Sequence, residues 1–400
     1  MEKFNAEERK SYNELLTYII DSLDITETQF NNLTKSYKAV GDFLIEAPNL
    51  KPYHPVVTPQ GSLRLGTIIQ PVNAADDIDV DLVYRLIRKN PLWTQYKLKN
   101  EVGNRLKESG RYSSMLEKEG RRCWTLQYRD NADSPKERYH MDILPCVADE
   151  EYNQRLERML NSVFQHDQVD KLSIRITDTK SHNYTTEIDA DEWLKSNPDG
   201  YALWFASKCK LDNHLEKRSL ADIVPIGKMA DKTVLQRVVQ LLKRHRDIMF
   251  KDEKDDKPIS IIITTIAANA YQGESDILMA LYNVVQKMTI EKRGEDYWVE
   301  NPVNPSENFA DKWPTHPKRK ENFLRWLKQV KTDLNDILSN KGIQLQNGLS
   351  KMFGKEISAN AFTKMTENVK SNSALKVGAT AMLGSIGKTL NAANTFYGKE

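Results

Sequence analysis

Only 3 of the 400 residues are cysteine, and they stand far apart at Cys123, Cys146 and Cys209. That scatter excludes a disulfide framework and a cysteine-rich zinc site. No segment reaches the roughly 18 consecutive apolar residues of a membrane span, and the opening Met1-Glu2-Lys3-Phe4-Asn5 carries no apolar leader. A soluble cytoplasmic protein without membrane attachment is expected. Charge of one sign is also lacking: 58 Lys and Arg against 56 Asp and Glu leave a formal +2, too little for a broad nucleic-acid footprint. The basic clusters Arg121-Arg122 and Lys318-Arg319-Lys320 read as solvated surface. Residues 351–400 contain no Pro, Asp, Trp, His or Cys. Ala374, Leu375, Val377, Ala381, Met382 and Leu383 fit a helix there, weakened by Gly378 and Gly384, and the last stretch reads as a mobile tail.

What is present is an unusual strand. In Asp77-Ile78-Asp79-Val80-Asp81-Leu82-Val83-Tyr84, alternate side chains share a face, so the three acids stand together and Ile78, Val80, Leu82 and Tyr84 can be buried opposite them. Acids have poor strand propensity, so their concentration costs stability unless a cation sits among them. Upstream, Pro59-Gln60-Gly61-Ser62-Leu63-Arg64 reads as a turn into a short helix. Gly61 permits close backbone approach, and Ser62 offers a hydroxyl and an N–H where anions are favoured. A Gly-Ser pair alone is usually just a turn; a phosphate cradle followed by a metal-binding strand is more specific than either part. A third carboxylate is available at Asp142, in Tyr139-His140-Met141-Asp142-Ile143-Leu144-Pro145, another half-buried alternation that Pro145 is expected to end. On spacing alone the metal pair is either Asp77 with Asp79 or Asp79 with Asp81.

Elsewhere, Leu15, Ile19, Leu23 and then Phe30, Leu33, Tyr37 and Phe43 recur at helical spacing. Trp124–Tyr128 is a further strand candidate. Val234, Val238, Leu241 and Leu242 form one apolar helix face, with Lys243 next to it, and Pro258 precedes the apolar run Ile259-Ser260-Ile261-Ile262-Ile263. His140 and His245 are expected to be structural.

Gly61-Ser62, Asp79-Val80-Asp81-Leu82-Val83-Tyr84 and Met141-Asp142-Ile143, in that order, resemble the signature of the polymerase-β-like nucleotidyltransferases. Trp193–Pro198, Leu241–Asp247 and Asn301–Pro305 resemble segments of one subgroup, the cGAS/DncV-like nucleotidyltransferases (CD-NTases) of bacterial anti-phage CBASS signalling. The resemblance implies an α+β fold: a polymerase-β-like sheet core with an N-terminal helical spine and a C-terminal, oligoadenylate-synthase-like helical lobe. It implies spine and catalytic core over 1–220, a nucleotide-binding lobe over 221–345, and a C-terminal helix and tail over 346–400. Asp79, Asp81 and Asp142 become the catalytic and Mg²⁺-binding residues, with Mn²⁺ able to substitute. Gly61, Ser62, Lys243 and Ser260 become nucleotide contacts, with Asp77 and Arg64 behind them. The implied activity joins ATP, GTP or other NTPs into a cyclic dinucleotide or trinucleotide that acts on an effector protein in antiviral defence. Some relatives are tethered through the C-terminus by partner enzymes, which Lys399-Glu400 after Gly398 makes less direct here. The zinc insertion of the animal DNA sensor is missing, so stable DNA binding is not expected. Competing functions are a linear 2′–5′ oligonucleotide synthase, an RNA-end nucleotidyltransferase, and a helical scaffold without activity.

Overall fold

The computed structural model describes residues 5–73, 76–128, 138–162, 165, 168–209 and 232–371. The expected boundary at 220/221, the helix around 374–383 and the tail fall outside them. The chain divides into two compact units, one of Met1–Asp24, Thr233–Asn301 and Ser306–Glu400, the other of Ile25–Lys232 and Pro302–Pro305.

The first unit opens with α1 (Ala6–Leu23), started by a reciprocal cap between Asn5 and Glu8. The second unit then takes over the chain. It begins with α2 (Glu27–Ile45), whose start uses Thr26 and Gln29 in the same way. Strand β1 (Val56–Gln60) runs into the single-turn α3 (Gly61–Arg64), followed by β2 (Ile78–Ile87). Helices α4 (Gln95–Glu108) and α5 (Gly110–Met115) lead to β3 (Trp124–Tyr128) and β4 (Tyr139–Ala148). The unit continues through α6 (Tyr152–Leu160), β5 (Ile174–Ile176), β6 (Leu194–Ser196) and α7 (Pro198–Lys208). The sheet order is β1-β2-β4-β5-β6, with β3 also on β4. β2 and β4 pair in parallel at its centre; β1 pairs antiparallel with β2, and β3 with β4.

Burial along β2 explains where a site can form. Ile78, Val80, Leu82, Tyr84 and Leu86 are buried on one face, in a core with Leu126, Met141, Ile143 and α2 side chains. From Leu82 to Leu86 every residue of β2 is buried, because Val83 packs on the other face with Leu144, Cys146 and Ile174. Asp79 and Asp81 precede that doubly covered stretch, where the second face is still open. Each fully buried Val, Leu or Ile here is worth about 1.5–3 kcal/mol over exposure, which fixes the register that a one-residue slip would invert.

Pro145 does not end β4. Its carbonyl accepts the Thr177 N–H at 3.3 Å, and it pairs with Tyr84 in the parallel ladder. It lies between the reach of β3, which stops at Ile143, and that of β5, which starts at Cys146. The missing N–H therefore falls in a gap between partners, where it costs no ladder bond.

The helical unit is built around α8 (Val234–Met249), capped by Thr233 and Gln236. Around it pack α1, α9 (Ser260–Ala270), α10 (Ile277–Lys287), α11 (Pro317–Ser339) and α12 (Gly342–Phe353); α13 (Lys355–Ser371) lies on α1 and α12. A two-stranded ribbon, β7 (Glu291–Arg293) with β8 (Asp296–Trp298), follows α10. His245 is buried and structural as expected, 3.0 Å from Asp333 Oδ2. Burial works against the Asp333 charge, but His245, Lys351 and Gln329 outweigh it and hold its carboxyl down at about 2. No helix among the described residues is long and apolar enough to cross a membrane.

Candidate active site

The site grows out of the parallel register of β2 and β4. Asp81 stands directly opposite Asp142, and Asp79 opposite His140. In-register neighbours on parallel strands point to the same side, about 4.8 Å apart at Cα, and Asp79 and Asp81 are about 6.6 Å apart along one strand. The three carboxylates thus share one face of the sheet, Asp79 exposed, Asp81 and Asp142 half-buried. On the other side of β2, Gln60 pairs with Asp81, so the turn at Gly61-Ser62 emerges beside that carboxylate. Gly61 has φ +62°, and a Cβ there would lie 2.3 Å from Asp81 Oδ2. Both the backbone and the close approach demand glycine. Ser62 is half-buried and its carbonyl closes the turn by accepting the Thr67 N–H at 2.9 Å.

Asp142 is held by a residue that sequence reasoning did not single out. Thr125 on β3 pairs with Asp142 in register, and its hydroxyl donates to Asp142 Oδ1. The alternation of Trp124-Thr125-Leu126-Gln127-Tyr128 carried the signal, but only with the β3–β4 register known. Behind β2, Asp77 lies 3.2 Å from Arg138 Nε and 3.0 Å from His140 Nε2.

Arg64, expected behind the nucleotide contacts, is only 4% exposed, because the single turn of α3 points its fourth side chain inward. There it forms an ion pair with Asp199 of α7 and donates to the Pro59 carbonyl at 3.3 Å. Arg85, further along β2, lies 3.1 Å from the other Asp199 oxygen and 4.1 Å above the Tyr152 ring, whose hydroxyl also donates to Asp199. Burial pulls the Asp199 carboxyl upward, but the two guanidiniums and the phenol outweigh it and hold it below the usual range. One buried acid thereby ties the Gly61 turn to the strand of Asp79 and Asp81.

Lys243 and Ser260 lie on the packed helices α8 and α9 of the helical unit. Lys243 is 5% exposed, and its charge helps to hold Asp247 ionised. Arg246, which also binds Asp247, donates to Ser260 Oγ at 2.8 Å. The Ser260 hydroxyl spends an acceptor on that bond and keeps its proton to donate.

As the side chains stand, no three His, Cys, Asp or Glu among the described residues close around a common point. Asp142 leans on Thr125, and Asp81 lies against the Gly61 turn. The donor set nevertheless fits a hard divalent cation, being all carboxylate oxygen. The Cys123 thiol is pushed up to about 12, first by burial and then by the negative charges of Asp142 and Asp81.

A family model described as the Second Messenger Oligonucleotide or Dinucleotide Synthetase domain matches residues 10–159. A c-di-GMP synthase of Roseivirga ehrenbergii is 30% identical over 399 residues, covering 96% of this chain and 96% of that protein. Among solved structures, the CD-NTase CdnG of Bradyrhizobium diazoefficiens in complex with GTP superposes with a TM-score of 0.62 at 16% identity, over 88% of this chain and 98% of that one. CdnC of E. coli MS115-1 with ATP gives a TM-score of 0.56 at 14% identity, over 86% and 97%.

Proposed function

The chain belongs to the cGAS/DncV-like nucleotidyltransferases, and from that premise we propose that it joins two nucleoside triphosphates into a cyclic dinucleotide with release of pyrophosphate. The observation that carries this assignment is the register that sets Asp81 against Asp142, with Asp79 on the same face and the Gly61 turn at their edge. GTP is the first substrate to test, since the 30%-identical relative is a c-di-GMP synthase.

Asp79, Asp81 and Asp142 would hold the divalent metal that this family generally uses, here Mg²⁺ with Mn²⁺ as substitute, and when bound it would supply Lewis-acid charge for phosphoryl transfer. The other contributions come from the chain itself. The Gly61-Ser62 backbone lies close enough to Asp81 to bring a phosphate to the carboxylate face. Thr125 fixes one Asp142 oxygen, so the other, Oδ2, is oriented to draw the proton of the ribose hydroxyl as it attacks the α-phosphorus. Asp77, engaged by Arg138 and His140, steadies the entry to β2. Lys243 and Ser260 are assigned as triphosphate contacts, a charge and a donated hydrogen bond respectively. The chemistry run a second time on the turned intermediate closes the ring. The product would act on a separate effector protein in antiviral defence, in the cytoplasm, with a partner protein acting on the C-terminus. The domain roles proposed with it are N-terminal spine helices and catalytic core over 1–220, nucleotide-binding lobe over 221–345, and C-terminal helix and tail over 346–400.

The test is incubation of the full chain with four labelled NTPs, singly and in pairs, with Mg²⁺ or Mn²⁺. A phosphatase-resistant product from GTP alone is expected. A product that keeps a 5′-phosphate would make the enzyme a linear oligonucleotide synthase, and label on RNA an end-transferase. No metal-dependent product from any pair would remove the proposal. Thr125→Val offers a narrower check: without the hydroxyl that orients Asp142, kcat is expected to fall about tenfold with KM for the nucleotide little changed. An unchanged kcat would show that Thr125 does no orienting.

A further inference from the structure

On the opposite face of the same sheet lies a cavity of about 310 Å³, lined by Asn32, Lys35 and Ser36 of α2, Arg111 and Met115 of α5, and Tyr128 and Tyr139 at the facing ends of β3 and β4. Tyr139 is three residues from Asp142 and so points away from the carboxylates. Four features of this cavity converge on one chemistry. Among the described residues no acidic side chain lines it, and neither Lys35 nor Arg111 enters an ion pair or a side-chain hydrogen bond. Both cations are exposed, so their charge is available to a guest. The Tyr128 side chain is only 3% exposed, yet its hydroxyl has no hydrogen-bond partner. A buried donor left unmade costs about 1–3 kcal/mol, which a guest that accepts the bond would recover. Finally, the Tyr139 hydroxyl donates to Ser36 Oγ at 2.6 Å, leaving the Ser36 proton to donate in turn.

Two cations and two hydroxyl donors around one space call for oxygen acceptors bearing negative charge. The Tyr128 and Tyr139 rings, stacked at 4.9 Å and 12°, and Met115 add an apolar wall for the body that carries them. Burial raises the Tyr128 hydroxyl well above its ordinary value, so it remains protonated and able to donate at neutral pH. We propose that this cavity binds a small oxyanion, a phosphate ester or a carboxylate, at a site separate from the catalytic carboxylates and on the other side of their strands. The proposal does not depend on which nucleotides the enzyme joins.

Calorimetric titration of the full chain, without nucleotide or metal, with inorganic phosphate and separately with benzoate tests it. Binding tighter than about 1 mM by at least one probe is expected. It should weaken about tenfold in Lys35→Ala and again in Arg111→Ala, and about threefold in Tyr128→Phe. Both cations are exposed, so these variants should keep the wild-type melting temperature when no anion is present, and should lose the upward shift that the bound anion gives the wild type. Binding of phosphate alone assigns the site to phosphate esters, and binding of benzoate alone to carboxylates. If neither probe binds, or if binding is unchanged when both cations are removed (as it would be for phosphate lodged at the Gly61 turn), the site does not exist.

Discussion

The double variant Asp79→Asn/Asp81→Asn is expected to lose at least about 10³-fold in nucleotide joining while remaining folded. Asparagine keeps the size and the strand position of each side chain and removes only the charge. Asp79 is exposed and Asp81 half-buried, so neither substitution opens a cavity. Loss of repulsion between like charges on neighbouring positions should leave stability unchanged or slightly higher. Pyrophosphate release and the thermal midpoint, measured on the same preparation, separate the two effects. A folded double variant that still makes product at the wild-type rate would take these carboxylates out of the chemistry.

The second large effect falls on stability. Asp199→Ala removes the one carboxylate shared by Arg64 and Arg85, which are 4% and 2% exposed, and leaves two guanidiniums buried without it. Breaking a buried pair in this way costs about 3–5 kcal/mol. The pH dependence has a definite sign. The folded-state pKa of Asp199 is depressed, so its contribution is complete above the unfolded value of about 3.9 and is lost as pH falls through the lower folded value. Urea unfolding should therefore show the full gap between wild type and variant at neutral pH, and a narrowing gap in acid below the ordinary carboxylate range. A gap that stays constant down to that acid limit, or one under about 1 kcal/mol at neutral pH, would show that the pairing contributes little.

Local pattern made a good part of the catalytic unit legible. The alternation of Ile78–Tyr84 placed Asp79 and Asp81 on the open face, and the structure has Val80, Leu82 and Tyr84 buried opposite them. Gly61 was singled out for close backbone approach, and its positive φ and its contact with Asp81 require it. The helices around Leu15 and Leu33 followed from spacing. These features are decided within a few residues of sequence.

What local pattern did not show is of longer range. Arg64, expected behind the nucleotide contacts, has its partner Asp199 135 positions away on α7. In the sequence that aspartate is only an acid in the first turn of a helix, a common preference at that place. Thr125 gains meaning through its register with Asp142, which no single strand pattern contains. Pro145 is tolerated because two partner strands happen to leave a gap at its edge. In each case the deciding neighbour is remote along the chain.

The joining of β2 to β4 has an outcome for how the protein is made. Between Asp81 and Asp142 the chain must first lay down α4, α5 and β3, and non-local pairing of this kind forms late because the intervening loop has to be closed. A growing polypeptide that has emerged only as far as Ile87 already exposes Asp79 and Asp81 but has no third acid to set beside them. An unfinished chain, or a proteolytic piece cut before Tyr139, would lack the complete set, which only molecules whose central sheet has been assembled can present.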